Sequence, residues 1–130
     1  MNTSPDKKKV LFVGQVPETV DFTDPALPPG FDAAKIHAGI AAGMQQMADR
    51  GWLADLCLVQ PDETATTALT QRLAGKVYDC VVIGGGLRIP AKSLLLFERL
   101  VNTVHRAAPG MAIAFNTSPV DTADAAGRWL

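Results

Sequence analysis

The feature that most constrains this chain is an alternation of short apolar runs with helix-type segments, repeated four times. The apolar runs are 10–13, 54–59, 78–83 and 111–115. The segments 32–50, 62–74, 90–107 and 118–130 carry apolar residues at helical spacing, helix-capping residues or both. Because such alternation brings successive strands together in parallel with right-handed crossovers, it predicts a parallel sheet with helices on both faces.

The purity of the apolar runs predicts the order of the strands. The first and third runs are the most continuously apolar, which is typical of strands buried on both faces. We therefore expect these two strands in the centre of an α/β, three-layer αβα sandwich with a four-stranded parallel sheet in the order 2-1-3-4. The 130 residues are predicted to form a single domain (1–130), with residues 1–6 as a disordered polar tail.

Charge and cysteine content exclude several classes of function. The net charge of −1 gives no basic face for a nucleic acid and no reason to expect a membrane as partner. No secretion signal or membrane span is predicted, so we expect a cytoplasmic protein. Cys57 and Cys80 are expected to be buried, reduced and inert, and they are too few for a zinc site. We predict no metal site.

In an open parallel sheet, ligands bind beyond the carboxyl ends of the strands, at the point where the chain direction reverses. With order 2-1-3-4, this crevice lies between strands one and three. Four segments are expected to surround it: Gly14-Gln15 with the connection that follows, 60–62, 84–88 and 116–118.

The run Gly84-Gly85-Gly86-Leu87-Arg88 is the most suggestive of these segments. Glycines permit close approach of backbone N–H groups to a ligand, and Arg88 has the geometry to clamp a carboxylate or phosphate. The alternative is a tight turn with an exposed arginine. The run matches neither the G-x-G-x-x-G dinucleotide fingerprint nor the P-loop.

The connection from Gln15 to Phe31, called here the proline-rich loop, holds four prolines, which exclude a helix. Connections of this length are uncommon and often functional, so we predict a lid over the crevice. Its acidic residues Glu18, Asp21 and Asp24 are interpreted either as solvated side chains or as partners for a cation or a substrate amine.

Polar residues beyond strand four form a second candidate for anion binding. Asn116, Thr117 and Ser118 precede the last helix, and Asn116 is expected to face the crevice. The alternative for Ser118 is plain helix capping, since Ser118-Pro119-Val120-Asp121 resembles a capping box.

No catalytic residue is assigned, and His37 and Asn116 are the candidates. The alternative for His37 is an exposed helix histidine with no catalytic role.

The size, alternation and strand order resemble the flavodoxin-like superfold, which includes flavodoxins and response-regulator receivers. The motifs of those two families are missing. A receiver has an acidic pair after strand one, where this chain has Gly14-Gln15, and a phosphorylated aspartate after strand three, where it has glycine. A flavodoxin has a Ser/Thr-rich phosphate loop in place of 15–19. The resemblance therefore implies an architecture and no specific activity or cofactor.

Two functions follow as hypotheses. The first is a small-molecule-binding protein, with or without enzymatic activity, that holds an anionic ligand (a carboxylate or phosphate) at the carboxyl edge of the sheet. The second is a non-catalytic, receiver-like module for regulation or interaction. For either, we predict a homodimer through Leu95, Leu96 and the free edge of strand four. The alternative is that both leucines pack beneath the last helix.

Overall fold

The strands and helices begin and end close to the predicted boundaries. A computed structural model describes residues 7–130, so the segment 1–6, expected as a tail, lies outside the described residues. The strands are β1 (Lys9–Gln15), β2 (Leu53–Val59), β3 (Cys80–Ile83) and β4 (Ala112–Phe115). The α-helices are α1 (Ala33–Asp49), α2 (Thr64–Gly75), α3 (Leu94–Ala107) and α4 (Thr122–Gly127), with short 3-10 turns at Pro17–Thr19, Gly85–Leu87, Ala91–Ser93 and Pro119–Asp121.

Local capping groups explain where the helices start. The carboxylate of Asp32 accepts a hydrogen bond from the backbone N–H of Lys35 at 2.8 Å, and Asp62 accepts one from the N–H of Thr64 at 2.9 Å. Each satisfies an N–H group that lacks an intrahelical partner. Gly51, just after α1, has a φ of +83°, the left-handed conformation that glycine adopts most easily.

The four strands are all parallel and lie in the order β2-β1-β3-β4, which confirms the prediction. β1 pairs with β2 along its whole length, from Lys9 opposite Leu53 to Gln15 opposite Val59. Its pairing with β3 ends earlier, at Val13 opposite Ile83. The carboxyl ends of β1 and β2 therefore extend past those of β3 and β4.

Two apolar layers lie on opposite faces of this sheet. On one face, Leu11, Val13 and Ile83 pack against Leu69 of α2 and Leu100 of α3. On the other face, the layer joins the sheet to α1 and α4 through residues that include Val10, Phe12, Val82, Ile40, Met47 and Ala123. The molecule is thus a three-layer α/β sandwich of the flavodoxin-like type.

The middle of α1 lies very close to the turn that precedes α4. A Cβ atom at Gly43 would overlap the carbonyl oxygen of Pro119, and one at Gly39 would lie 3.1 Å from the Cβ of Pro119. Both glycines leave room for the Pro119–Asp121 turn, which is how the last segment of the described chain reaches the sheet face beside α1.

The last helix and the third strand are shorter in the structure than predicted. The helix expected over 118–130 is a 3-10 turn followed by the six-residue α4. β3 begins at Cys80 and not at Tyr78, because its pairing with β1 begins at Val10 opposite Cys80. Among the described residues, no helix combines the length and apolar character needed to cross a membrane.

The leucines at the start of α3 separate into two groups. Leu96 packs partly buried against the core layer beside α2, whereas Leu94 and Leu95 are 60% and 57% exposed. None of them packs beneath α4, because α3 and α4 lie on opposite faces of the sheet. The alternative of burial under the last helix is therefore wrong.

Candidate functional site

A cavity of about 230 Å³ opens at the carboxyl ends of β1, β2 and β3, between the proline-rich loop and the beginning of α3. We call it the edge cavity. Its lining comes from each of these segments: Gln15, Thr19, Val20, Asp21, Asp24, Leu27, Pro61, Gly86, Pro90, Lys92, Ser93 and Leu96. Three of the four segments expected around the crevice thus contribute, and the segment 116–118 does not.

Gln15 closes the cavity at the end of β1. Its side-chain amide donates to the carbonyl oxygen and to the hydroxyl oxygen of Thr19, both at 3.1 Å. The Thr19 hydroxyl in turn donates to the carbonyl oxygen of Val16 at 2.6 Å. These bonds fold the beginning of the proline-rich loop into a 3-10 turn and hold it against the rigid end of the strand.

An ion-pair cluster forms the opposite wall. The ammonium of Lys92 bonds the carboxylate of Asp21 and lies 4.0 Å from that of Asp24. The Lys92 hydrogen bond, with further bonds from Thr23, lowers the pKa of Asp21 to about 2, and the Asp21 contact raises the pKa of Lys92. The cation beside Asp21 and Asp24 is therefore a side chain of the protein, and binding of an external cation or of a substrate amine by these acids stays a prediction.

The three glycines after β3 differ in their surroundings. A Cβ at Gly85 would lie 3.1 Å from the carbonyl oxygen of Thr117 and 3.3 Å from that of Asn116, so only glycine fits easily against the end of β4. A Cβ at Gly86 would meet nothing within 4 Å. Gly86 is exposed and lines the edge cavity, and its N–H has no acceptor among the described residues.

Asn116 is buried (1% exposed) and lies outside the cavity lining. Its side-chain oxygen accepts from the N–H of Gly85 at 2.7 Å, and its Nδ2 donates to the hydroxyl of Thr122 at 2.9 Å. Both ends of the amide are thus used to join the glycine turn after β3 to the start of α4. This arrangement gives Asn116 a role in the fold, and its role toward a ligand stays a prediction.

The guanidinium of Arg88 also turns toward the end of β4. Its Nη2 donates to the carbonyl oxygen of Asn116 at 2.7 Å, and its Cζ lies 6.0 Å from the centre of the Phe115 ring. Arg88 does not line the edge cavity. Its Nε is buried, with no hydrogen-bond partner among the described residues. The clamp role assigned to Arg88 stays a prediction, and the observed contacts support the packing of β4.

The backbone N–H groups of Thr117 and Ser118 are already bonded to the carboxylate of Asp121, at 3.0 and 3.2 Å. Ser118 and Asp121 form the capping box expected from the sequence. Burial alone would raise the pKa of Asp121, but the bonds from Thr117 and Ser118 outweigh it and lower the pKa. The anion at these amides is therefore a side chain of the protein.

His37 and Gly14 lie near the proline-rich loop without entering the cavity lining. The Nε2 of His37 is 2.7 Å from a carboxylate oxygen of Glu18, and both side chains are at least half exposed. The His37 contact lowers the pKa of Glu18. Gly14 is buried beside Leu58. His37 therefore ties the proline-rich loop to α1, and its catalytic role stays a prediction.

A second polar cluster lies at the opposite end of the sheet. Asp55 accepts hydrogen bonds from the ammonium of Lys76 at 2.9 Å and from the Tyr78 hydroxyl at 2.6 Å. Burial and the Asp55 bond raise the pKa of Tyr78 to about 12, whereas Lys76 and Tyr78 together lower the pKa of Asp55. No sequence pattern indicates this cluster, because its members come from separate parts of the chain and form no local motif.

Comparison with known proteins adds no family to this geometry. No protein-family model, curated protein or solved structure matches the chain. Within residues 7–130, no group of three or more histidine, cysteine, aspartate or glutamate side chains is arranged to hold a metal ion. The function must therefore be argued from the edge cavity and the surface alone.

Proposed function

We propose that the protein binds a small anionic molecule, carrying a carboxylate or a phosphate, in the edge cavity. The observation that carries this proposal is the convergence of two donors on one cavity. Lys92 and Gly86 both line it, the ammonium of Lys92 being paired with Asp21 of the proline-rich loop and the N–H of Gly86 having no acceptor among the described residues. The proposed ligand-binding residues are thus Gln15, Gly86 and Lys92, of which Gln15 and Gly86 were expected from the sequence.

The position of the cavity supports this assignment. It lies at the carboxyl edge of a parallel sheet, the region in which ligands of this architecture bind. It also lies at the amino end of the 3-10 turn 91–93 and of α3, where the helix dipole favours negative charge. Val20, Leu27 and Leu96 add apolar surface for the rest of the ligand.

The volume limits the size of the ligand. Pockets for drug-sized molecules measure roughly 300–1,000 Å³, so a cavity of about 230 Å³ suits a smaller metabolite. We assign binding and no reaction, because the lining contains no nucleophile paired with a general base.

The test replaces one charge in the cavity and one far from it. Lys92→Gln removes the ammonium from the lining, and Lys8→Gln removes an exposed ammonium at the opposite end of β1. Inorganic phosphate and a panel of small carboxylates and phosphate esters are titrated by calorimetry and by thermal shift. We expect Lys92→Gln to weaken binding at least tenfold, because a hydrogen bond to a charged group contributes roughly 1.5–3 kcal/mol. We expect Lys8→Gln to bind the anions as tightly as wild type. Equal binding by both variants, or no binding by any anion, contradicts the proposal.

A second candidate is an interaction module that forms a homodimer, and the exposed start of α3 favours it. Leu94 and Leu95 are more than half exposed, and within the described sheet β4 pairs on one side only, with β3. We propose Leu95 as the centre of the interface, whereas Leu96 packs against the hydrophobic core of its own protomer. Leu95→Lys should convert a dimer into a monomer in sedimentation equilibrium. A wild-type monomer at tens of micromolar protein contradicts this candidate.

For both candidates we propose a location in the cytoplasm. The support is the state of the two cysteines: Cys57 and Cys80 are buried and unpaired, and burial raises the pKa of both thiols. Unpaired thiols are usual in a reducing compartment.

A further inference from the structure

We propose that Asp21 of the proline-rich loop is an internal competitor that occupies Lys92 until an anionic ligand displaces it. This inference rests on the proposed function, because it concerns the same cavity. The ion pair between Asp21 and Lys92 joins the middle of the proline-rich loop to the start of α3. The ligand and the loop would therefore compete for a single ammonium.

The charged residues that line the cavity favour this competition. Its lining contains two carboxylates, Asp21 and Asp24, and one ammonium, Lys92. An anion entering while both carboxylates remain in place meets net negative charge. An anion that replaces Asp21 gains the same ammonium, and Gly86, whose N–H has no acceptor among the described residues, lines the same cavity.

Asp21 is held in position to act as the competitor. One of its carboxylate oxygens accepts the backbone N–H of Thr23 at 3.0 Å and the Thr23 hydroxyl at 2.5 Å. The other oxygen bonds Lys92. The local turn thus presents a carboxylate to the ammonium in a fixed orientation, as a bound acid would.

The contact is also easy to break. Lys92 and Asp21 are 57% and 42% exposed, and exposed ion pairs contribute little to stability. The loop is fixed independently on both sides of Asp21. On one side Gln15 binds Thr19, and on the other Asp32 caps α1 while Lys35 donates to the carbonyl of Gly30 at 2.6 Å. Displacement of Asp21 therefore frees the middle of the loop without unfolding its ends.

The test compares two variants with the same change in net charge. Asp21→Asn removes the competing charge and keeps the side-chain oxygen that Thr23 uses, whereas Asp49→Asn removes an exposed carboxylate at the end of α1. Binding of inorganic phosphate and of the best anion from the panel is measured by calorimetry for both variants and for wild type. We expect Asp21→Asn to tighten binding roughly fivefold, because an exposed ion pair then no longer competes with the anion. We expect Asp49→Asn to change the affinity less than twofold.

The outcomes separate this inference from the proposed function. Binding that depends on Lys92 and is equal in Asp21→Asn and Asp49→Asn overturns the internal competitor and leaves the anion site standing. Failure of wild type and of Asp21→Asn to bind any anion overturns both. Binding by Asp21→Asn that is much tighter than binding by wild type supports the competitor most strongly. As a readout without ligand, proteolysis between residues 20 and 28 should be faster in Asp21→Asn than in Asp49→Asn, and equal rates contradict the role of the ion pair in holding the loop.

Discussion

Replacement of Asn116 by alanine tests how the glycine turn after β3 is held. The buried amide accepts the N–H of Gly85 and donates to the hydroxyl of Thr122. Alanine leaves the N–H of Gly85 buried without an acceptor, which costs about 1–3 kcal/mol, and removes a second hydrogen bond worth about 0.5–1.5 kcal/mol. Since the Thr122 hydroxyl keeps its own acceptor, the carbonyl of Pro119 at 2.7 Å, no further donor is orphaned. Asn116→Ala should therefore lower the free energy of unfolding by about 2–4 kcal/mol.

The assay is urea unfolding followed by far-ultraviolet circular dichroism. Asn102→Ala is the matched control, because its side chain donates to the Glu98 carbonyl at 2.9 Å on the exposed face of α3. Its effect should stay within about 0.5 kcal/mol. The denaturant slope should be unchanged in both variants, because the same surface is exposed on unfolding. If Asn116→Ala is as stable as Asn102→Ala, the bridge between the glycine turn and α4 does not support the fold as argued.

Three further predictions concern packing and titration. Tyr78 is the single tyrosine, so its phenolate absorbance should report a pKa of about 12 in the folded protein and about 10 in urea. Because the folded-state pKa is raised, the contribution of Tyr78 to stability is complete below pH 10 and is lost as the pH rises toward 12. A folded-state pKa near 10 contradicts the bond to Asp55. Cys57 and Cys80 should react with a thiol reagent in urea and resist it in the native state, and rapid native reaction of both contradicts their burial. Gly43→Ala should lower the free energy of unfolding in urea by about 1–3 kcal/mol, because its Cβ would overlap Pro119. Gly75→Ala is the control and should leave the free energy of unfolding unchanged, because its Cβ would meet no atom within 4 Å. Equal stabilities of the two variants contradict the close contact.

The architecture was predictable because its determinants are local. Apolar runs such as 78–83 and the helical spacing of Ile36, Ile40, Met44 and Met47 define elements without reference to distant residues. The caps at Asp32 and at Ser118 are equally local, since each involves residues three apart. The strand order followed from the purity of two runs, which reports burial on both faces.

The edge cavity was predictable only in position. Lys92 and Asp21 are separated by 71 residues, and no periodic pattern links them. Arg88 illustrates the same limit, since its place after a strand indicates the carboxyl edge but not the direction of its side chain. Whether it points into the crevice or to the carbonyl of Asn116 depends on the end of β4, which packs beside it only in the folded chain.

The unequal lengths of the strands give the cavity two walls of different character. β1 and β2 continue to Gln15 and Val59, whereas β3 ends opposite Val13. The edge of the sheet therefore has a step from Val13 to Gln15, which is roughly 7 Å high because a strand rises about 3.3 Å per residue. The inner wall of this step is hydrogen-bonded strand and is rigid, while the facing wall is a loop fixed mainly by polar side-chain contacts. Substitutions in 16–31 can therefore change the shape of the cavity without disturbing the strands that carry the fold, while the height of the step stays set by the strands.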